Sequence, residues 1–178
     1  MATRTLNATA GALLGFLHAG PMSGWDLVAT ARTVVGDFWT VTQSQVYREL
    51  AAMSRDGLVS AGGAGARERR PYKITAAGRS AFATWLRQPP GTEQIRYPLL
   101  LTLSFGAHLP PDLLTEFVAE HRAEHAERLA AYRQRRAAMG GDADPYTAAT
   151  LDFGIRYETA VLQWCDHLPP AIRRRSTP

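Results

Sequence analysis

Residues 43–78 constrain the fold of this chain more than any other stretch. A short amphipathic segment is followed by two apolar runs on either side of a Gly- and Arg-rich loop, and then by the start of another helix. A helix, a tight hairpin with basic residues and a further helix start, in this order, are typical of a winged helix-turn-helix. The sequence therefore predicts a module that binds duplex DNA.

The helix predicted from Thr42 or Gln43 to about residue 56 has two unlike faces, because successive residues are about 100° apart around its axis. One face is apolar and is expected to pack inward, with Val46, Leu50 and Met53. The opposite face is small, polar and cationic, with Ser44, Arg48, Ala51 and Arg55. A face of this chemistry suits entry into the major groove.

The hairpin after this helix is expected to form the wing. Residues 58–61 and 72–74 are the candidate strands, and the glycine-rich residues 62–65 form the turn between them. The basic side chains of the hairpin are Arg67, Arg69, Arg70 and Lys73. Because three arginines fall within four residues, we expect the wing to contact phosphate groups or the minor groove.

Helices are also predicted before the wing region. Apolar residues at helical spacing indicate a first helix over residues 7–19. A second helix runs to about residue 35; Ser23 caps its start, and Asp26 stands at the third position, as in a capping box. Its expected apolar face comprises Trp25, Leu27, Val28 and Ala31.

The rest of the chain after the wing is predicted to be helical. Thr75 caps a fourth helix over residues 76–86. The apolar side of this helix comprises Phe82, Trp85 and Leu86. A linker at residues 88–91 follows. Three further helices are predicted over residues 99–107, 110–139 and 145–168.

The predicted fold class is mostly α with a small β-hairpin wing. Residues 1–88 form the winged helix-turn-helix DNA-binding domain, and residues 89–172 form a helical dimerisation domain with a candidate effector site. Residues 173–178 are a basic tail that we expect to be disordered.

The last two long helices carry apolar side chains that a lone helical hairpin would leave exposed. In the first of them these are Leu114, Phe117, Val118, Leu129 and Tyr132. In the second they are Tyr146, Phe153, Tyr157, Val161, Trp164 and Leu168. We expect both faces to pack on a second copy of the chain, and a two-fold dimer suits a palindromic operator.

Segments along nearly the whole chain follow the order and spacing of a known family. Residues 20–27 (GPMSGWDL) lie between the first two helices, residues 38–50 cover the third helix, and residues 56–59 and 70–78 flank the wing. These segments resemble the PadR family of transcriptional regulators. Residues 98–101, 109–111 and 151–158 resemble its subgroup with a larger helical C-terminal domain.

The resemblance implies a homodimeric repressor whose C-terminal helices dimerise and are candidates to sense a small molecule. The chain departs from many family members at two points, because Gln43-Ser44 stand where those have a Pro-Gly pair and Arg48 stands where they have a proline. Two alternatives remain: a winged-helix module that binds only another protein, and a regulator that needs no effector.

Candidate DNA contacts are concentrated at the start of the third helix. Three side chains can pair with base edges, namely Ser44, Gln45 and Arg48. Thr42 and Gln43 are better placed to hold a phosphate through side chains and free backbone N–H groups. Tyr47 either bonds a phosphate through its hydroxyl or packs between helices.

A small aromatic effector could bind among aromatic side chains, although core packing explains the same residues. The candidates are Trp25, Trp39, Tyr146, Phe153, Tyr157 and Trp164. His121 and His125 are one helical turn apart, a spacing that can chelate zinc. Since the sequence offers no evident third ligand, we expect these histidines to be exposed and predict neither a metal nor a cofactor.

Composition narrows the functional classes. Residues 1–88 carry ten Lys or Arg against five Asp or Glu, whereas residues 89–178 carry ten against eleven, so the DNA-binding half is the basic one. No apolar run approaches a membrane span, and no signal-peptide pattern is present, which predicts a cytoplasmic protein. Cys165 alone cannot form an intrachain disulfide. With no phosphate loop, nucleophile elbow or metal motif, an enzyme is not predicted.

Overall fold

The computed structural model describes residues 5–35, 38–63, 70–93, 95–141 and 144–173. The chain divides into two units, residues 1–92 and 93–178, called the N-terminal and the C-terminal unit below. Among the helices of the described ranges, none combines the length and apolar character needed to cross a membrane.

The described part of the N-terminal unit contains four helices and a small antiparallel sheet. The elements are α1 (Ala8–Phe16), β1 (Met22–Ser23), α2 (Gly24–Val34), α3 (Gln43–Arg55), β2 (Val59–Ala61), β3 (Pro71–Ile74) and α4 (Ala76–Leu86). The strand order is β1-β3-β2, with Val59 opposite Ile74 and Met22 opposite Tyr72. The predicted mostly α fold with a hairpin wing is confirmed. Strand β1 was not predicted, because two residues are too few to show an alternating pattern.

Every helix of this unit begins at a polar side chain that accepts a hydrogen bond from the backbone of the first turn. The caps are Asn7, Ser23, Thr42 and Thr75. In α2 and α3 the capping box is complete, because the residue at the third position also accepts from the backbone N–H of the cap. These local contacts explain why the helix starts could be predicted from the sequence.

Gly57 ends α3 and turns the chain directly into the wing. Its φ of 71° lies in the left-handed region that favours glycine. The Leu58 N–H donates to the carbonyl of Met53 at 2.8 Å, and the Gly57 N–H donates to that of Ser54 at 3.2 Å. This pair of bonds is a Schellman motif, so the last turn of α3 and the start of β2 hold a fixed relation.

The core of the N-terminal unit is a single aliphatic cluster. Its largest fully buried members are Leu13, Leu14, Leu17, Leu27, Leu50, Met53 and Val46. Phe82 and Trp85 of α4 pack against it, as expected. Trp25 and Leu86 were predicted to be inward, which is wrong: they are 55% and 60% exposed. Trp25 lies about 200° around α2 from Leu27, and Leu86 is the last residue of α4.

The C-terminal unit is helical throughout its described residues. Its elements are α5 (Pro98–Ser104), a 3-10 turn (Gly106–His108), α6 (Pro111–Ala138), α7 (Pro145–His167) and α8 (Pro170–Arg173). Each of the four α-helices begins at a proline, whose fixed φ suits the first helical position. The predicted helix 99–107 is thus shorter and ends in a 3-10 turn. The short α8 was not predicted, and the tail after Arg173 lies outside the described residues.

Much of the apolar face of each long helix is buried within a single copy, because α6 and α7 pack against each other. The prediction that these faces pack on a second copy is therefore wrong for Leu114, Val118, Leu129, Tyr132, Val161 and Leu168, which are buried. Leu99, Val118 and Leu168 form a small core, against which Tyr97, Leu103, Trp164 and Ile172 pack. Other apolar side chains remain exposed: Leu101, Phe105, Tyr146, Phe153 and Tyr157. The unit therefore presents an apolar surface to solvent in a single copy.

The prediction of exposed histidines on α6 is wrong. His125 is 3% exposed, and its Nδ1 faces a carboxylate oxygen of Glu158, which is equally buried. His121 is half-buried beside it. The sequence did not show this, because Glu158 lies 33 residues away on another helix.

Candidate nucleic-acid interface

Helix α3 separates a buried apolar face from an exposed polar one. Val46, Leu50 and Met53 are fully buried, as predicted. The side chains expected on the opposite face are exposed, namely Ser44, Arg48, Ala51 and Arg55. The packing of the buried face therefore fixes which side chains of α3 meet a ligand in solvent.

Glu49 is a buried residue of α3 that sequence reasoning missed. Asn7 Nδ2 donates to Glu49 Oε1 at 2.9 Å, and Asn7 also caps α1. The bond links the start of α1 to the middle of α3 and so helps to set how α3 lies on the unit. A signal was available, because positions 46, 49, 50 and 53 follow the spacing of one helix face.

A cleft of about 280 Å³ adjoins the N-terminus of α3. Its lining residues are Ala31, Arg32, Thr40, Val41, Thr42 and Gln43. The first backbone N–H groups of a helix have no partner within it, and the helix dipole favours an anion there. With Arg32 at its wall, the cleft suits a phosphate group of the DNA backbone.

Gln45 has a side chain that is already engaged at the helix start. Its Oε1 accepts from the Thr42 N–H at 2.8 Å and from the Thr42 hydroxyl at 3.0 Å. The Gln45 N–H donates to Thr42 Oγ1 at 3.3 Å. A two-bond contact with adenine uses both ends of the amide, so Gln45 must release this cap bond to read that base.

Tyr47 packs between helices and is also 43% exposed. A Cβ atom at Gly24, the first residue of α2, would lie 2.6 Å from its ring. Only glycine therefore lets the ring of Tyr47 lie on the start of α2. The predicted packing of the ring between helices is confirmed, whereas the predicted contact of its hydroxyl with a phosphate stays a prediction.

The described part of the wing carries two cations. Arg70 Nε donates to the Gly62 carbonyl at 2.9 Å across the hairpin, which orients this side chain. Lys73 is exposed on β3. Arg67 and Arg69 lie outside the described residues, so their predicted contacts remain predictions.

The six aromatic side chains considered for an effector do not form one pocket within either unit. Trp25 precedes most of α2 and Trp39 follows it, so α2 separates them. Tyr146 and Trp164 are roughly 27 Å apart along α7 at 1.5 Å per residue. Phe153 and Tyr157 are neighbours, with stacked rings 6.3 Å apart. Tyr157 also shares a hydrogen bond with Tyr97, and the Tyr97 ring lies edge-on to Trp164 at 6.5 Å. The structure thus brings Phe153, Tyr157 and Trp164 to one side of the C-terminal unit rather than forming one pocket of six residues.

Two family models match the chain along consecutive parts. Residues 13–84 match the transcriptional regulator PadR-like family, and residues 95–172 match the family described as virulence activator alpha C-term. The first match runs from within α1 to within α4, and the second covers α5, α6 and α7 and most of α8.

Relatives are similar over most of the chain. The negative transcriptional regulator PadR of Bacillus subtilis is 26% identical over 151 residues, which are 80% of this chain and 81% of that protein. Its crystal structure in complex with operator DNA aligns with a TM-score of 0.74 and 21% identity over 90% and 96% of the two chains. Its complex with p-coumaric acid aligns with a TM-score of 0.68 and 20% identity over 96% and 99%.

A second relative shares the two-part architecture. The Vibrio cholerae virulence activator AphA aligns with a TM-score of 0.69 and 27% identity over 89% of this chain and 94% of that one. The resemblance drawn from the sequence agrees with the fold, with the exposed face of α3 and with both family matches. The chain therefore carries a PadR-like family domain and is a winged-helix homologue of the PadR transcriptional regulators, with a C-terminal helical region.

Proposed function

We propose that this protein is a sequence-specific repressor that binds its operator as a homodimer and is released by a small aromatic effector. The observation that carries the proposal is the exposed face of α3, with Ser44 and Arg48 opposite the fully buried Val46 and Leu50. A helix anchored in this way can enter the major groove without losing its apolar packing.

On DNA, each part of the N-terminal unit has a distinct role. Arg48 and Ser44 contact base edges, and Arg48 is suited to guanine. Thr42, Gln43 and the cleft beside them hold a backbone phosphate. Lys73 and Arg70 of the wing hold the flanking backbone, together with Arg67 and Arg69.

The homodimer is supported by the exposed apolar side chains of the C-terminal unit. Leu101, Phe105 and Phe153 are each at least 60% exposed in a single copy. Exposed apolar patches of this kind mark surfaces that bind other proteins. A second copy is the partner that also explains a two-fold operator.

The effector is supported by the complex of Bacillus subtilis PadR with p-coumaric acid. In this chain, the stacked pair Phe153 and Tyr157 is the aromatic surface best suited to such a ring. An effector that binds one arrangement of the dimer more tightly shifts it away from the arrangement that binds DNA.

The test is binding of the purified protein to duplex DNA from its own upstream region at two salt concentrations. Binding with a Kd of about 10 nM that survives nonspecific competitor and weakens with salt is expected. Subsequent addition of p-coumaric acid, as the first probe, is expected to release the DNA. Binding that competitor abolishes would contradict sequence-specific recognition at this site, and binding to protein partners alone would favour an interaction module.

A further inference from the structure

The C-terminal unit holds a cluster of polar side chains that the proposed DNA contacts do not use. His121 and His125 lie on α6, Tyr97 precedes α5, and Glu158 lies on α7. The side chains of His125 and Glu158 are both only 4% exposed. Burying so many polar groups is costly unless they are paired.

Three donor atoms of this cluster lie within 3.5 Å of one another. The Nε2 atoms of His121 and His125 are 2.9 Å apart. The Tyr97 hydroxyl oxygen is 3.0 Å from the first and 3.5 Å from the second. Ligand atoms about 2.1 Å from a metal ion are about 3.0 Å apart in octahedral and about 3.4 Å apart in tetrahedral geometry. The spacing of the three atoms therefore matches that of ligands around one ion.

The second ring nitrogen of His125, Nδ1, faces a carboxylate, as is common for histidines that bind metal ions. This atom faces a carboxylate oxygen of Glu158, and Arg128 Nε donates to the other carboxylate oxygen at 3.2 Å. The Nδ1–H of His125 is thus directed to Glu158, which leaves the lone pair of Nε2 pointing at His121 and Tyr97. A carboxylate behind an imidazole in this way orients histidine ligands in metalloproteins.

The remaining two donors differ in strength. Burial, followed by the neighbouring His125, lowers the pKa of His121. Burial, followed by the proximity of Tyr157, raises the pKa of Tyr97 well above 10. The Tyr97 hydroxyl therefore stays protonated and is a weak oxygen donor.

We propose that Nε2 of His121 and Nε2 of His125, with the Tyr97 hydroxyl as a weaker third donor, bind a divalent transition metal ion of the zinc, nickel or copper class. These ions prefer imidazole ligands, and water completes the coordination. Within the described ranges no three His, Cys, Asp or Glu side chains are placed to hold a metal, so the site relies on the imidazole pair and Tyr97. When the ion binds, the proton on Nε2 of His121 moves to Nδ1 of the same ring, so both histidines coordinate through Nε2 lone pairs as neutral imidazoles.

The test uses the full chain without a histidine tag, after treatment with a chelator. Titration with Co²⁺, followed by visible absorption, and with Zn²⁺, followed by calorimetry, is expected to show saturable binding of one ion per chain. His121→Gln is expected to weaken binding by ~100-fold or more, and Tyr97→Phe by less than ~10-fold. His108→Gln, which changes an exposed histidine of the same unit, is the matched control and should bind like wild type.

Three outcomes would overturn the proposal. Wild-type protein could show neither a Co²⁺ absorption band nor a Zn²⁺ binding heat, in which case the cluster is a hydrogen-bond network only. His121→Gln could bind as tightly as wild type while its circular dichroism shows a folded chain. His108→Gln could lose the binding, which would assign the ion to the surface. None of these readouts depends on DNA binding, so failure here is separate from failure of the proposed function.

Discussion

The two units differ in the size of their buried apolar cluster and in the side chains that their proposed binding surfaces expose. The N-terminal unit buries an aliphatic cluster and exposes polar and cationic side chains on α3, such as Arg48. The C-terminal unit buries His125 and Glu158 and leaves Phe105 and Phe153 exposed. The first arrangement gives a closed core with a surface suited to a polyanion, whereas the second gives a surface suited to another apolar surface.

The two units also differ in how their helices begin. All four described helices of the N-terminal unit have a side-chain cap, whereas α5 and α6 begin at prolines without one. Only α7 of the long helices in the C-terminal unit is capped, by Asp144. Local hydrogen bonds thus define the elements of the first unit, and packing between helices defines more of the second.

The largest expected effect concerns the closed core. Leu50→Ala removes a fully buried side chain and is expected to lower the free energy of unfolding of the N-terminal unit by about 3–4 kcal/mol. Leu86→Ala, at a 60% exposed leucine of the same unit, should change it by less than about 0.5 kcal/mol. Denaturant titration followed by circular dichroism measures both, and equal effects would contradict the closed core.

The exposed surface of the C-terminal unit gives the next prediction. Phe153→Glu is expected to weaken self-association by about 2–3 kcal/mol, because it places a charge where a second copy is proposed to pack. Gln163→Glu introduces the same charge at an exposed polar position of α7 and is the control. Sedimentation at several concentrations distinguishes them, and a Phe153→Glu dimer as tight as wild type would move the interface elsewhere.

The next prediction concerns the buried carboxylate of Glu158 in the C-terminal unit. Glu158→Gln removes the charge that faces Arg128 and His125, so stability is expected to fall by about 2 kcal/mol. The matched control is Asp152→Asn, whose exposed carboxylate pairs with Arg156 on the same helix and should matter little. Thermal unfolding of the two variants provides the comparison, and a stable Glu158→Gln would show that the network is dispensable.

The cationic face of α3 leads to a smaller and more selective effect. Arg48→Ala is expected to cost about 1–2 kcal/mol on the operator and to relax preference at one base pair. Arg55→Ala removes the same charge from the last turn of α3, so it should lower affinity for all sequences alike. Competition between operator variants measures both, and identical behaviour would mean that Arg48 contacts only phosphate.

The smallest effect is expected at a helix cap. Thr75 Oγ1 accepts from the Gly78 N–H at 3.0 Å and donates to the Gly57 carbonyl at 2.8 Å. Thr75→Ala should therefore cost about 1 kcal/mol of stability, whereas Thr75→Ser keeps the hydroxyl and should cost less. If Thr75→Ser lowers the melting temperature as much as Thr75→Ala does, the methyl group and not the hydroxyl is responsible for the effect.

Much of the N-terminal unit was predictable because its signals are local. Three of its helix starts follow from a capping side chain that bonds the backbone three residues later, namely Ser23, Thr42 and Thr75. The two faces of α3 follow from helical spacing. The same spacing places Glu49 on the apolar face of α3. Because a charged residue on that face requires a partner, the sequence could also have predicted that Glu49 is buried and paired.

The C-terminal unit was less predictable because its pairings are distant in sequence. His125 meets Glu158 across 33 residues, and Tyr97 meets His121 across 24. Neither pair has a local pattern, so the histidines were expected on the surface. The two-residue β1 and the short α8 were missed for a related reason, since tertiary pairing rather than propensity decides such short elements.

The hydrogen bonds between Gln45 and Thr42 have a consequence for how base sequences are discriminated. The amide oxygen of Gln45 already accepts from the Thr42 N–H at 2.8 Å, so in the proposed DNA complex nonspecific DNA would offer this oxygen no gain. Only a base that bonds both ends of the amide could compete with the internal partner. Under this proposal the helix cap would set an energetic threshold for recognition, and a weaker cap would make this position more permissive rather than more selective.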